Sequence, residues 1–474
     1  IVMVNLTMCL FKHAMEKIKI LFFNQDTISG GDVIFGLKRE LGLAEAIAIG
    51  VGSAVGTGVV KLHGAVGSLM GPFGVLAWIL AGAIVALVYL CFAELGSGRP
   101  ESGSLYYFVK DSLGEVAGFT ISWSYWLAQS LALGALSLAS AESILLAFSI
   151  PEDKVKLLVL ALIVLFCIMV VNIIGVRVAG KVQDVLTILK IGLLLFFVVS
   201  VLASTFKLEN FAPGKYFTTF NASSTSELLS SALKNIGLAS LIVIWAYIGI
   251  EEVVIPGEEI KDPERNIPRA IVLSLILVIS LYVIVAITTI GALGSDIAKY
   301  GTKCVEIAVR RALGTLAGSF FSLFLVFSFI AVMNSSTLIN SRIIYGYAKD
   351  GVFPRIFANI HPKFRTPYIA IICQTLIGAL ALIIIGSFID ITIICNLLML
   401  IPYLSIGPTL LANRMKCSSD VKGIRIKGGE VIALLAFILS AYLIGQARVS
   451  LLLYSIIVIF AGLPIYYIMK RETD

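Results

Sequence analysis

The sequence predicts an all-α polytopic membrane protein with twelve transmembrane helices. Of its 474 residues, 59% are hydrophobic and only 14% are charged, whereas soluble domains contain about half apolar and about a quarter charged residues. Apolar runs long enough to cross about 30 Å of hydrocarbon recur along the whole chain. Charged residues fall mostly in the short segments between these runs. These three observations leave little room for a soluble domain.

The apolar runs divide the chain into candidate spans. The third and eighth runs are too long for an upright crossing, and we expect both helices to tilt or to project from the bilayer. The predicted spans cover residues 43–63, 71–95, 118–148, 155–175, 182–203, 236–257, 268–293, 314–346, 367–387, 390–411, 430–447 and 450–469.

Lysine and arginine are divided unevenly between the two sets of loops. Most of them lie in the N-terminal segment and in the loops on the same side of the membrane, such as 342–366 and 412–429. Cytoplasmic loops carry such an excess, which predicts a cell-membrane protein with both termini in the cytoplasm. The net charge of +7 therefore reflects membrane orientation, and no nucleic-acid partner is expected.

Three segments outside the spans have their own character. Residues 1–39 are expected to be a cytoplasmic extension, unless 1–31 lie upstream of the true start. Residues 1–31 are not expected to be a signal peptide, because no cleavage site follows their apolar stretch. Residues 204–235 are rich in serine and threonine and predict a flexible hairpin with a surface helix. Residues 296–312 predict an amphipathic surface helix over the outer mouth.

The first span contains an unusual concentration of glycine. Residues 50–58 read GVGSAVGTG, with four glycines in nine residues, which weakens a helix at membrane depth. One interpretation is close packing through a face of small residues, Gly50, Ala54 and Gly58. The other is an unwound segment that lines a cavity, where N–H groups and the next helix N-terminus face a carboxylate.

The sixth span contains a second candidate interruption. Gly249 follows Trp245 by four residues, and Glu251 and Glu252 come next. Glu251 would lie about 22 Å along the helix, and a carboxylate inside the membrane indicates a functional site. Alternatively, Glu251 caps broken backbone, or Glu252 lies at the inner interface. Interruptions in the first and sixth spans suggest two consecutive halves of five spans with opposite topology.

Two lysines lie inside predicted spans. Lys190 is about 12 Å from the inner end of the fifth span. Desolvation disfavours the charged form of a buried lysine, so this side chain could gain and release a proton, unless it snorkels to the inner interface. Lys61 is about 27 Å along the first span, where we expect it to snorkel to the outer interface. If it does not, it would favour anionic substrates or repel cations.

The sequence lacks the motifs typical of enzymes, metal sites and channels. The seven cysteines form no CxxC pair, and the three histidines have no ligand spacing, so we expect no disulfide, metal or other cofactor. The sequence contains neither HExxH nor GxSxG, so a membrane-embedded enzyme is disfavoured and no catalytic residue is assigned. A channel would need a filter repeat or charged rings, and none is evident.

Four motifs in order resemble the amino acid–polyamine–organocation transporter superfamily. The similarity extends from about residue 40 to 412. The motifs are the glycine segment 50–58; Ala93-Glu94-Leu95 with Pro100, Gly103, Tyr106 and Tyr107; residues 245–251 with 258–270; and residues 345–354 with His361-Pro362 and Thr366-Pro367.

The resemblance implies a leucine-transporter-like 5+5 inverted repeat. Its repeats would cover 40–205 and 236–412, and residues 413–474 would add two helices and a short cytoplasmic C-terminus. It also implies a secondary active transporter for amino acids or related amines, with protons as the coupling ion and with Lys190 and Glu251 in coupling. An exchanger or uniporter with a structural Lys190 is the alternative. The oligomeric state is not predicted.

The resemblance places the substrate between the two interrupted helices. Groups of the first span would hold the carboxylate of the substrate, and carbonyls of the sixth span would hold its amine. Trp245 matches an aromatic gate of related arginine/agmatine exchangers. Gln129 would reach the pocket, or make an interhelical hydrogen bond instead. Acidic residues could favour a cationic substrate, although Glu142 could be only an interface residue. The implied substrate residues are Gly52, Ser53, Gly56, Thr57, Gly58, Gln129, Trp245, Ala246, Tyr247 and Ile248.

Overall fold

The computed structural model describes residues 39–98, 104–175, 180–416 and 423–473. These residues form α-helices and short 3-10 helices and no β-strand. The predicted extension 1–39 lies outside this part of the chain apart from Arg39, and so do Pro100 and Gly103 of the second motif.

Within those ranges, nine helical stretches are long and apolar enough to cross a membrane. The stretch 263–349 contains two helices, and two further apolar helices are shorter. The all-helical membrane architecture is therefore supported, whereas twelve crossings and a 5+5 symmetry stay predictions. The α-helices are α1 (Leu43–Ala54), α2 (Gly58–Lys61), α3 (His63–Met70), α4 (Gly74–Gly98), α5 (Ser104–Leu113), α6 (Glu115–Ala147), α7 (Lys154–Ile174), α8 (Gly180–Ser204), α9 (Phe217–Phe220), α10 (Thr225–Tyr247), α11 (Pro263–Leu293), α12 (Cys304–Lys349), α13 (Tyr368–Ile384), α14 (Phe388–Lys416), α15 (Gly429–Ile444), α16 (Val449–Phe460) and α17 (Gly462–Thr473).

Burial separates central helices from peripheral ones. In α6, 83% of the most apolar 18-residue segment is buried. This helix packs against α12, α13 and α14. In α7 only 22% is buried, and apolar side chains such as Val155, Val159 and Ile163 are exposed. Exposed apolar patches of this kind mark a surface made for a partner or a membrane. α7 therefore lies on the lipid-facing periphery, and α6 forms the centre.

The structure confirms both predicted interruptions. α1 ends at Ala54, where Val55 is extended (φ −74°, ψ 94°), and α2 begins only at Gly58. α10 ends two residues before Gly249, which has a left-handed backbone (φ +118°) and leads into the 3-10 helix Ile250–Val254. Glycine adopts this conformation without the steric penalty of a side chain, which explains why the second interruption falls at Gly249.

The two interruptions lie directly against one another. A Cβ atom on Gly249 would be 2.8 Å from the carbonyl carbon of Ser53, so a larger residue would force the two segments apart. The hydroxyl of Tyr282 on α11 lies 2.7 Å from the Ala54 carbonyl oxygen and 2.9 Å from that of Ala246. Tyr282 thus holds the end of α1 next to the end of α10.

A buried ion pair joins α4 to α14. Arg414 on α14 donates from Nε and Nη2 to the two carboxylate oxygens of Glu94 on α4, at 2.7 and 2.6 Å. The Ile426 N–H also donates to Glu94, at 2.9 Å. This bidentate contact gives the glutamate of the second motif a structural role in joining α4 to the C-terminal part of the chain.

Two segment boundaries differ from the sequence prediction. α10 begins at Thr225, where Ser224 accepts from the Glu227 N–H at 3.3 Å, so the helix starts eleven residues before 236. A serine N-cap stabilises the polar first turns, which hydropathy alone does not register. α11 begins at Pro263, within the predicted loop motif, and backbone bonds of Leu41 with Glu259 and Lys261 hold this loop against the chain before α1.

Candidate functional site

A cavity lies beside the two interruptions and contains about 550 Å³ of space, including its open part. Four helices besides α1 and α10 contribute to it or to its rim. The lining residues are Ser53, Ala54, Gly56, Thr57, Gly58, Ala128, Gln129, Ala132, Leu136, Trp245, Ile248, Gly249, Glu252, Val332, Ser336, Cys395 and Met399.

Most of the implied substrate residues are brought to this cavity. Their function in binding stays a prediction, but their convergence does not depend on any assumption about the ligand. Seven of the ten line the cavity, namely Ser53, Gly56, Thr57, Gly58, Gln129, Trp245 and Ile248.

Three of the implied substrate residues lie behind the lining. Gly52, Ala246 and Tyr247 are not among the residues that face the cavity. The Ala246 carbonyl oxygen lies 2.9 Å from the Tyr282 hydroxyl, and the Tyr247 carbonyl oxygen lies 2.8 Å from the Tyr89 hydroxyl. The reason is that α10 stays helical to Tyr247, so the backbone turns toward the cavity only at the next residue.

Trp245 and Gln129 each have a defined neighbour at the cavity. The Trp245 Nε1–H donates to Thr57 Oγ1 at 3.1 Å, which joins the indole on α10 to the interruption between α1 and α2. The Gln129 amide donates to the Tyr125 hydroxyl at 3.1 Å, one turn earlier on the same helix. The interhelical bond that was the alternative for Gln129 is therefore replaced by a contact within α6.

Glu252 lines the cavity, which the sequence did not predict. Its Oε2 accepts from Ser53 Oγ at 2.6 Å, and the residue is 6% exposed. The alternative that Glu252 lies at the inner interface is therefore wrong. The 3-10 helix that follows Gly249 turns this side chain back toward the end of α1. The one sequence signal for it was a pair of adjacent carboxylates directly after a candidate interruption.

Glu251 points away from the main cavity and is held by polar groups. Its Oε2 accepts from the Tyr89 hydroxyl at 2.6 Å and from the Gly249 N–H at 2.8 Å. It therefore caps the broken backbone, as one of the two interpretations proposed. It also lines a second space of about 390 Å³ together with Tyr125 and Tyr347.

Lys190 lies behind the interruption of the first helix. It is 3% exposed, and its Nζ donates to the Gly52 carbonyl oxygen at 3.2 Å. Snorkelling to the inner interface is therefore wrong for this lysine. A Cβ atom on Gly52 would be 2.7 Å from Thr187 Oγ1, so glycine at this position allows α8 to approach.

Lys61 is fully buried, which contradicts the expectation that it snorkels to the outer interface. Its Nζ lies 2.9 Å from Glu306 Oε2, 3.6 Å from Glu142 Oε2 and 2.9 Å from Ser143 Oγ. Glu142 in turn accepts from Thr302 at 2.7 Å, so it is not only an interface residue. Opposite charges from distant parts of the chain make this burial tolerable.

The segment that supplies Glu306 is not a simple surface helix. Residues Gly294–Lys303 form a 3-10 helix, and the first part of α12 continues to a kink at Gly314 (φ +86°). Lys299 is on the surface, whereas Ile297 is 1% exposed and packs toward α3. The amphipathic pattern of 296–312 is real, but its apolar side faces protein instead of lipid.

No group of three or more histidine, cysteine, aspartate or glutamate residues suited to a metal occurs within the described ranges.

Comparison with known proteins gives a consistent assignment. A family model described as "Amino acid permease" matches residues 41–469. The chain is 27% identical to a serine/threonine exchanger of Bacillus subtilis, over 92% of this chain and 98% of that protein. It is 28% identical to a putative arginine/ornithine antiporter of the same organism, over 89% and 95%. It is 30% identical to the large neutral amino acids transporter small subunit 2 of Oryctolagus cuniculus, over 76% and 67%.

Proposed function

Because the chain belongs to the amino acid permease family, we propose that it moves an amino acid across the cell membrane together with a proton. The family and its relatives are transporters and not enzymes. The observation that carries the proton-coupled proposal is the buried contact between Lys190 and the Gly52 carbonyl, behind the cavity at the interrupted first helix.

The substrate would lie across the two interruptions. Gly56, Thr57 and Gly58 line the cavity, and unwound backbone of this kind can bind the carboxylate of an amino acid. The amine would lie toward Ile248 and Gly249, at the interruption that follows α10. Alternating access would follow from movement of the segments that meet at these interruptions.

Protonation of Lys190 would couple proton movement to the substrate. A charged Lys190 binds the Gly52 carbonyl and so steadies the end of α1. The next residue, Ser53, donates to Glu252 in the cavity. Loss of the proton from Lys190 would weaken the contact that positions residues 52 and 53, and the change would reach the substrate through this short connection.

Exchange is the second candidate function. It is favoured by the similarity to a serine/threonine exchanger and to a putative arginine/ornithine antiporter. An exchanger would need both substrates but no proton gradient, and Lys190 would then serve only to fix α1.

Reconstitution in proteoliposomes distinguishes these functions. We expect radiolabelled amino acid from a mixed panel to accumulate when the outside is acidified, and a protonophore to abolish the accumulation. For one proton per substrate without a membrane potential, one pH unit sustains about tenfold accumulation. Protein-free liposomes are the control. Uptake that occurs only with unlabelled amino acid inside, whatever the pH, would assign the protein to exchange.

Replacing Trp245 by leucine should impair transport without loss of folded protein. The indole lines the cavity and donates to Thr57, and removing a well-packed aromatic contact in a binding site costs about 2 kcal/mol or more. Substrate affinity should therefore fall by at least about tenfold.

The variant Trp245→Phe provides the matched control, because it keeps an aromatic ring but loses the bond to Thr57. We expect its affinity to lie between those of Trp245→Leu and the wild type. Wild-type affinity in Trp245→Leu, measured on monodisperse protein, would remove Trp245 from the site.

A further inference from the structure

Glu252 brings a formal charge to a cavity whose other described lining residues are uncharged. The side chain is 6% exposed and has a hydrogen bond from Ser53 to one carboxylate oxygen. A carboxylate can accept about four hydrogen bonds, so this contact leaves capacity for a ligand. A buried charge is costly unless a partner is present.

Among the described residues in and beside the cavity, the charges do not balance. Glu251 precedes Glu252 in the same 3-10 helix. Lys190 donates to the Gly52 carbonyl, next to the Ser53 hydroxyl that donates to Glu252. Two carboxylates against one ammonium leave one negative charge in excess when all three groups are ionised. A positively charged group of the substrate would compensate this charge at the position where Glu252 faces the cavity.

Resting on the proposed function, we propose that Glu252 selects a substrate with a net positive charge, namely an amino acid with a second amine or guanidinium. The α-carboxylate remains with the backbone at 56–58, and a cationic group contacts Glu252. Several apolar residues can pack against the methylene stem of such a side chain. They are Ala128, Ala132, Leu136, Val332 and Met399.

Competition between lysine and norleucine tests this on the wild-type protein. The two amino acids share an unbranched four-carbon stem, and only lysine has the terminal ammonium. Purified protein in nanodiscs is incubated with radiolabelled lysine, and unlabelled lysine or norleucine displaces it. We expect lysine to compete at least about tenfold more effectively, because hydrogen bonds to charged groups contribute about 1.5–3 kcal/mol.

Two substitutions assign the preference to Glu252. Glu252→Gln keeps the shape and the bond from Ser53 but removes the charge, and it should reduce the lysine-to-norleucine ratio to about one. Glu252→Asp keeps the charge and should retain a preference for lysine. Glu264→Gln is the matched control, because Glu264 is exposed in the first turn of α11, and it should behave as wild type.

The outcomes separate this inference from the proposed function. If wild-type protein transports norleucine or other neutral amino acids and rejects lysine, the inference is wrong and amino acid transport stands. An unchanged ratio in Glu252→Gln would likewise overturn it, since the excess charge would then be compensated by a proton. If the wild type transports no amino acid of the panel in any direction, the proposed function itself fails.

Discussion

Replacing Lys61 by methionine should destabilise the protein by about 3–5 kcal/mol, the usual cost of removing one partner from a buried ion pair. Lys61 and Glu306 are both 0% exposed, and their charged atoms are 2.9 Å apart. Methionine fills a similar volume but leaves Glu306 and Glu142 without an ammonium. The measurement is the melting temperature of purified protein in detergent, determined from the loss of monodisperse protein on heating.

The same distance at the surface provides a matched control. Lys299 binds Asp296 at 2.9 Å, but its side chain is 74% exposed, and water replaces its partner when it is removed. Lys299→Met should therefore melt close to the wild-type temperature. The double variant Lys61→Met/Glu306→Leu removes a carboxylate along with the ammonium and should recover part of the lost stability. Equal effects of Lys61→Met and Lys299→Met would contradict the importance of burial.

Replacing Lys190 by alanine should abolish accumulation driven by a proton gradient. Alanine cannot bind a proton or the Gly52 carbonyl, so the accumulation ratio should fall from about tenfold per pH unit to about one. Exchange of labelled for unlabelled substrate should persist to a measurable extent, because the cavity is lined by other residues.

Lys154→Ala serves as the control for Lys190. Lys154 is an exposed lysine at the start of α7, and its removal should leave proton-driven accumulation unchanged. If Lys190→Ala accumulates substrate like the wild type, Lys190 has no part in coupling. If both accumulation and exchange disappear while the protein remains monodisperse, Lys190 fixes the structure of α1 instead.

The sequence was informative wherever a feature depended on neighbouring residues. The glycines of 50–58 and Gly249 predicted interruptions that the structure shows, because helix propensity is largely a local property. The convergence of the two interruptions was implied by the family resemblance, which places the substrate between them. Trp245 and Gln129 were placed at the cavity through motif resemblance, and both line it.

The carbonyls of Ala246 and Tyr247 were assigned to the cavity, but they lie behind its lining. The motif indicated the correct helix, but the residue at which α10 ends decides which backbone groups face the cavity. That boundary depends on Gly249 packing against Ser53 and on the hydroxyls of Tyr89 and Tyr282. A shift of one or two residues in the end of a helix moves a carbonyl from the lining to the interior of the protein.

By itself, the sequence determined that the chain is helical, that it is suited to a membrane, and where two helices are weakened. These properties follow from composition and short-range pattern. Only the tertiary structure decided the partners of the buried charges. Lys61 meets a glutamate 245 residues away, and Ser53 meets Glu252 across 199 residues. The sequence shows that such charges exist, but whether each reaches lipid headgroups, a cavity or an opposite charge depends on how the helices pack.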